Sequence, residues 1–420
     1  MNELETCPDQ HGGPSPEPPW DHLIWQLESD FYWESIRGGA SHSLSMFVRT
    51  ISKLELNWIF DPHFTLPPSP SPCVRRLSQT QRSRVQTWGL PSSVTMMEAD
   101  DATAQYSDCL AVSNEITSRL RNKICSNRSG QVMYPHEWNS QIANECYALF
   151  GPDSLIKYTE EYWNSWYIHW PAIHRATFQV LEAPATLVAS MVLLSTSYSS
   201  DADTRELGRC WADVVEMIVF TDEYFGSATL YSSLNAACLE RRLRALQAGL
   251  DISVYQTFEG SSIAKRRARR SRFNEIVDMG RELGFQNGRH ADLQNITKDT
   301  FCWKEFILKE ELIRSFNIMY NAVPKVVVEE LQTDFFCPEV CFQASTESEC
   351  LERLLAWVSH PLFKDRRISF TGALKILSGP ELDSQTLQIF INVGSTNLFV
   401  LATVMDSHAL KLKVEWVSVS

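Results

Sequence analysis

An all-α body is what this sequence predicts, on three observations. Between about residues 131 and 360, apolar residues recur at the three- and four-residue spacing of helix faces in one segment after another. Alternating strand patterns are scarce, Lys325 to Leu331 being the best candidate. Hydrophobic residues make up 44% of the chain and charged residues 21%, close to globular averages, so such helices can bury a sizeable core.

The elements follow in chain order. After Pro135, Trp138, Ile142, Cys146 and Leu149 stack on one helical face. Leu155, Tyr158, Tyr162 and Trp166 mark the next helix, which Pro171 ends. Leu187, Met191, Leu194 and Tyr198 form another stripe. Leu207, Trp211, Val214 and Ile218 form one more, with Asp203 and Glu206 placed as its N-terminal cap. Leu239, Leu243, Leu246 and Leu250 follow, then Phe273, Ile276, Val277, Gly280 and Leu283, stopped by Gly284. Leu308, Leu312, Phe316 and Met319 precede a last stripe of Leu351, Leu354, Leu355 and Val358.

Residues 1–130 read as a largely disordered N-terminal region, mostly linker with short helical pieces. Pro14, Pro16, Pro18 and Pro19 open it and Pro67, Pro68, Pro70 and Pro72 interrupt it, each removing a backbone donor. Within it, residues 20–36 combine Trp20, Trp25, Phe31 and Trp33 with Asp21, Glu28, Asp30 and Glu34, and contain no Lys or Arg. Acids keep such a segment hydrated while its aromatics stay available to a partner's groove, the composition of an acidic activation segment. An amphipathic helix packed on the main domain is the other reading. Residues 361–420 read as a C-terminal helical extension that stops early.

With 420 residues, the chain has room for two or three domain-sized units, or one large domain with flexible flanks. The net charge of -13 excludes a grip on nucleic acid by the overall field; DNA contact would need a local basic patch or another module. The 11 cysteines are scattered and no basic-then-apolar leader opens the chain, so they read as reduced intracellular thiols. Two uncharged stretches, 183–200 and 385–405, carry too many Ser, Thr, Asn and Gln residues for membrane spans.

Motifs for catalysis are absent: there is no G-x-G-x-x-G, no G-x-x-x-x-G-K and no G-x-S-x-G. His136-Glu137 opens like a metalloprotease helix, but Ser140 stands where the second His is needed. No C-x-x-C occurs. Cys337, Cys341 and Cys350 lack a nearby His, and His169 and His174 lack cysteine partners. No catalytic residue, bound cofactor or metal site is therefore expected in this chain.

The charge pattern that stands out is Lys265, Arg266, Arg267, Arg269, Arg270 and Arg272, six cations within eight residues of an acidic chain. Such a run serves nuclear import or touches phosphate. A solvated helix start led by Phe273 is the plainer reading, although cations at a helix N-terminus oppose the macrodipole.

The stretch from Tyr158 to Phe178, with Trp163, Trp166, Tyr167, Trp170-Pro171 and His174-Arg175-Ala-Thr-Phe178, resembles the opening signature of the fungal-specific transcription factor domain. Pro184 and the apolar helix after it continue the likeness. Leu246 to Gln256, Glu259-Gly260 and Arg281-Glu-Leu-Gly284 resemble the family's second block; Trp303-Lys-Glu-Phe306 and Glu310-Glu-Leu-Ile-Arg314 resemble its third. Cys337-Pro-Glu-Val-Cys-Phe-Gln343 is similar to the version in members with paired Cys2His2 fingers. The likeness covers roughly residues 131–360. It implies an all-α regulatory domain, not an enzyme, of a nuclear regulator of RNA polymerase II transcription. The implied partners are transcriptional coregulators, with a homodimer compatible. Zinc is expected of full-length members, but its ligands are absent here, so DNA would be reached indirectly or through a missing N-terminal module. The chain is also short between Arg314 and Pro324, consistent with a truncated or diverged member. The alternatives are a helical pathway enzyme, which would need spaced carboxylates that the sequence lacks, and a nonfunctional or truncated interaction protein.

Overall fold

A computed structural model describes residues 92–126, 137–167, 170–226, 236–290, 293–323, 332–359 and 369–377, with Pro135, Glu330, Asn397, Val400 and Leu401 besides. All but Leu401 belong to one compact unit, Asp61–Val400. The expected activation segment, the first 91 residues and most of 361–420 lie outside the described residues. So does the strand candidate, apart from Glu330.

Among the described residues the chain is helical, with one isolated bridge between Asp334 and Ser369. The helices longer than one turn are α1 (Ser92–Ser126), α2 (Ser140–Phe150), α3 (Pro152–Ser165), α4 (Ala185–Ser197), α5 (Ala202–Phe220), α6 (Ala236–Phe258), α7 (Ser262–Arg267), α8 (Phe273–Leu283), α9 (Trp303–Ala322), α10 (Glu347–Val358) and α11 (Phe370–Leu377). A π-helical turn, Ala268–Arg272, joins α7 to α8.

The body is arranged around α4. Every residue from Ala185 to Thr196 is buried, because α3, α5 and α6 pack against different sides of this helix and α1 and α2 close the remainder. A helix apolar all round is stable in water only when surrounded like this. Its serines bond to carbonyls: Ser195 Oγ donates to Tyr158 O of α3 at 2.7 Å, and Ser190 Oγ to Thr186 O at 2.9 Å. The stretch 183–200 is thus a core helix. No helix among the described residues is long and apolar enough to cross a membrane.

Two sequence expectations need correction. The stretch expected to be linker holds α1, whose Cys109, Val112, Ile116, Leu120 and Ile124 form a buried stripe against α3 and α5. The Ser, Thr, Asn and Asp residues around that stripe dilute its apolar character and hide it. The cap of α5 is Asp201, whose carboxylate accepts the Asp203 and Thr204 amides at 3.3 and 3.1 Å. Asp203 already lies inside the first turn. The other boundaries follow the expected stripes. α2 is capped by Asn139, whose Oδ1 accepts the Ile142 amide at 3.0 Å. α8 stops at Gly284, whose φ of 79° is open to glycine at little cost.

Close approach of α5 to α4 and α6 rests on Gly208. A methyl group there would meet Tyr255 Oη at 2.9 Å and Thr196 Oγ1 closer still. Gly208→Ala should therefore destabilise the fold by about 1–3 kcal/mol, the usual cost of overpacking, despite alanine's better helix propensity. A thermal melt followed at 222 nm would measure it. An unchanged or raised midpoint would show that the helices have room to separate.

Candidate functional site

The sequence Glu310-Glu311-Leu-Ile-Arg314-Ser315 places two acids and a cation on successive turns of α9, spaced so that Glu310 and Arg314 share a face. All three charged side chains are buried in the body. Such burial is tolerated only where each charge is met by partners.

Arg314 is met on every side. Its Nε donates to Glu310 Oε1 at 2.7 Å and its Nη1 to Glu339 Oε1 at 2.8 Å. Nη1 also reaches Pro171 O at 3.2 Å, and Nη2 reaches Cys337 O at 3.3 Å. The guanidinium is faced by the Phe342 and Phe336 rings, 3.9 and 4.9 Å from their centroids. Glu310 in turn accepts the Cys337 amide at 3.0 Å and pairs with His290 Nε2 at 2.7 Å. Burial alone would raise the Glu310 carboxyl, but Arg314 and His290 outweigh it and hold the group below its usual range.

Glu311, about 100° around the helix from Glu310, has partners of its own. Its Oε1 accepts the His174 amide at 2.7 Å and Arg244 Nη1 at 3.0 Å. Gln247, one turn beyond Arg244 on α6, accepts from Arg244 at 3.0 Å and donates to Ala172 O and Ser315 Oγ, both at 3.2 Å. Burial raises the Glu311 carboxyl despite Arg244. Asp251, a further turn along, faces the Trp166 indole and the Tyr162 hydroxyl; burial dominates and pushes it well above the carboxylate range. His174 is buried edge-on to Phe342 and Trp303, at 5.1 and 5.7 Å. Burial lowers its pKa to about 4, reinforced by the Arg314 and Arg244 charges, so the ring is neutral at pH 7.

This cluster joins the loop Trp170–His174, helices α6 and α9, the His290 turn and the segment Phe336–Phe342. Its charges are met by one another, with Glu339 at the edge reaching solvent and Glu310, Glu311 and Arg314 buried, so its chemistry is positioning. The motifs that carry the family likeness, far apart in sequence, meet here.

The remaining candidates separate. The basic run is divided by the fold. Arg267 and Arg272 turn inward onto the buried Glu216: Arg267 Nε and Nη2 each donate to it at 2.6 Å, and Arg272 Nε at 2.7 Å. Arg267 also holds Asp213 at 2.6 Å, and Gln256 of α6 donates to Glu216 at 3.0 Å. A simple solvated helix face is therefore not what these two residues form. Arg266 and Arg270 are exposed, and Lys265 and Arg269 half-buried. Trp20, Trp25, Phe31, Trp33, His136 and His169 lie outside the described residues.

Cys337, Cys341 and Cys350 lie in one apolar cluster with Phe306, Ile307 and Leu354. Burial pushes Cys341 and Cys350 each to about 12, and Cys337 well above its ordinary value. Zinc requires thiolates, so this set does not fit it. Among the described residues, no group of three or more His, Cys, Asp or Glu is arranged to hold a metal ion. Sequence reasoning missed Glu216, Arg244, Gln247, Asp251 and His290. The available signal was a charge on an apolar face, as with Glu216 between Val215 and Ile218.

The chain is 32% identical over 292 residues to the transcription factor verF of Penicillium polonicum, an alignment covering 66% of this chain and 39% of verF. The chain is homologous to a fungal transcription factor. A shorter alignment, 37% identical over 60 residues, links 14% of the chain to 7% of the zinc finger protein zas1 of Schizosaccharomyces pombe. The chain thus spans well under half the length of either relative. No family model and no solved structure matches it.

Removal of Arg314 tests the cluster. Arg314→Met should cost about 3–5 kcal/mol, because Glu310 is left buried without its cation. Adding Glu310→Gln should recover part of that loss in urea denaturation. Equal stabilities of the single variant and the wild type would show that the ion pairs contribute nothing. His174 supplies a pH test. An unfolded histidine titrates near 6.5, and the folded ring near 4. The neutral ring's contribution is therefore intact above about pH 6.5, and is lost as the pH falls toward 4, by up to about 3 kcal/mol. His174→Gln should flatten the stability profile across that window. A variant profile that parallels the wild type would assign the acid sensitivity to other groups.

Proposed function

We propose that this chain is the regulatory body of a nuclear regulator of RNA polymerase II transcription, acting through contacts with transcriptional coregulators. The similarity to verF over 292 residues carries this reading. The convergence of the Trp170–His174, Glu310–Arg314 and Cys337–Phe342 blocks on one buried charge cluster supports it, because those are the residues of the family likeness. The domain is the fungal-specific transcription factor domain, and DNA and zinc are held by a module other than these residues. Lys265, Arg266, Arg269 and Arg270, the cations of the basic run that do not hold Glu216, serve nuclear import or touch phosphate. Trp20, Trp25, Phe31 and Trp33 serve activation, their acidic surroundings keeping them hydrated until a partner's groove takes them.

Tethering tests the reading directly. The full chain fused to a foreign DNA-binding domain should change a reporter's output several-fold. Replacing Trp20, Trp25, Phe31 and Trp33 together by Ala should return the output toward baseline. In a fluorescent fusion, replacing Lys265, Arg266, Arg269 and Arg270 by Ala, with Arg267 and Arg272 kept for the fold, should shift the protein to the cytoplasm. A silent tethered chain sinks the regulatory reading; a variant that stays nuclear sinks the import assignment alone.

A further inference from the structure

In an α-helix, residues five apart lie about 140° apart around the axis. Arg267 and Arg272 would then point at different neighbours. In the π turn Ala268–Arg272 the Phe273 amide bonds the Ala268 carbonyl, five residues back. That wider ring brings Arg267 and Arg272 nearly over one another, and both reach Glu216. The turn also leaves Arg272 shared between two acids. Its Nε holds Glu216 inside the protein, and its Nη1 holds both oxygens of Glu275 at the surface, at 2.9 and 3.1 Å. Ser271 is exposed, and its hydroxyl donates to the same Glu275 Oε1 at 2.9 Å.

We propose that Ser271 is a phosphoacceptor whose modification releases Arg272 from Glu216 and weakens the basic face. Ser271 follows Arg266, Arg267, Arg269 and Arg270 and precedes Arg272. Such a density of cations matches the acidic substrate cleft of an arginine-directed protein kinase, by charge complementarity. The π turn interrupts the regular α-helical ladder and Ser271 lies exposed on it, so entry into such a cleft requires only local opening of this segment. In the transfer, Ser271 Oγ attacks the γ-phosphorus of ATP and an O–P bond forms. The bond to the β–γ bridging oxygen breaks, ADP leaves, and the hydroxyl proton passes to the kinase's base.

The product brings a charge of about -1.5 to -2 to a site now hydrogen-bonded to a carboxylate. Phosphate and Glu275 repel each other, and the phosphate replaces Glu275 as the surface partner of Arg272. A bidentate guanidinium–phosphate pair competes with the inward hold on Arg272, the Nε contact to Glu216 and the Phe220 ring 4.4 Å from its guanidinium carbon, and draws it outward. Glu216 keeps Arg267 and Gln256. The same charge offsets about two of the six cations, weakening whatever polyanion contact the face makes.

The test uses the full chain, the catalytic domain of an arginine-directed kinase, and ATP. Peptide mapping by mass should place phosphate on Ser271, and Ser271→Ala should not acquire it. Phosphorylated protein should melt several degrees below the unmodified chain and leave a heparin column at lower salt. Ser271→Asp should reproduce part of both changes. Adding Glu275→Gln should restore only part of the melting temperature, since repulsion is relieved while Arg272 stays with the introduced negative charge. Absence of phosphate on Ser271 overturns the proposal, as does phosphate there with an unchanged melting temperature.

Discussion

The Arg314 guanidinium sits wholly inside the protein, and the architecture around it depends on keeping it paired. A charge in that position is expensive unless its donors find acceptors and its faces find rings. Glu310 and Glu339 supply carboxylates, Pro171 and Cys337 supply carbonyls, and Phe336 and Phe342 cover the faces. These partners come from α9 itself, from the irregular segments around Pro171 and Cys337, and from the single helical turn Glu339–Phe342. Irregular segments have no ladder of their own to set their position. Here the donors of one side chain help to set it, alongside the buried apolar residues Trp170, Ile173, Phe336 and Phe342 of the same segments.

A second clamp works by the same principle at the far end of α6. Glu216 is the buried charge there, and Arg267 and Arg272 are its partners. α6 links the two: Gln247 reaches the Arg314 region through Ser315 and Ala172, and Gln256 reaches Glu216. The helix that flanks the apolar α4 thus carries a polar contact toward each charge cluster. Hydrophobic burial around α4 supplies the bulk of the cohesion, and the clamps select the register in which helices and loops meet.

This division has a functional side. The ionisable groups brought together in the body face one another and carry pKa shifts set mainly by burial, as Asp251, Glu311 and His174 illustrate. All three are buried, so they serve the fold from within, in keeping with homology to a transcription factor. The basic run, by contrast, leaves several of its cations facing solvent on one helical stretch. On the proposed reading, contacts with partners are made there and in the aromatic N-terminal segment.

Helix positions were legible from the sequence because they depend on residues three and four apart. The stripes of α2, α5 and α8 are local facts, and so is the stop at Gly284, which only needs a residue at ease with positive φ. α1 escaped because its stripe is spread among polar residues, and burial of Cys109 or Ile116 becomes evident only when α3 and α5 are in place. The charge clusters escaped for a stronger reason. Glu311 holds the amide of His174, 137 positions away, and Arg314 holds the carbonyl of Pro171, 143 positions away. Whether a charge is solvated or buried depends on what the fold lays over it. The sequence therefore determined which segments coil and which residues carry charge. The tertiary structure alone decided that Arg267, Arg272 and Arg314 turn inward, because only there do distant carboxylates and carbonyls replace the water they give up.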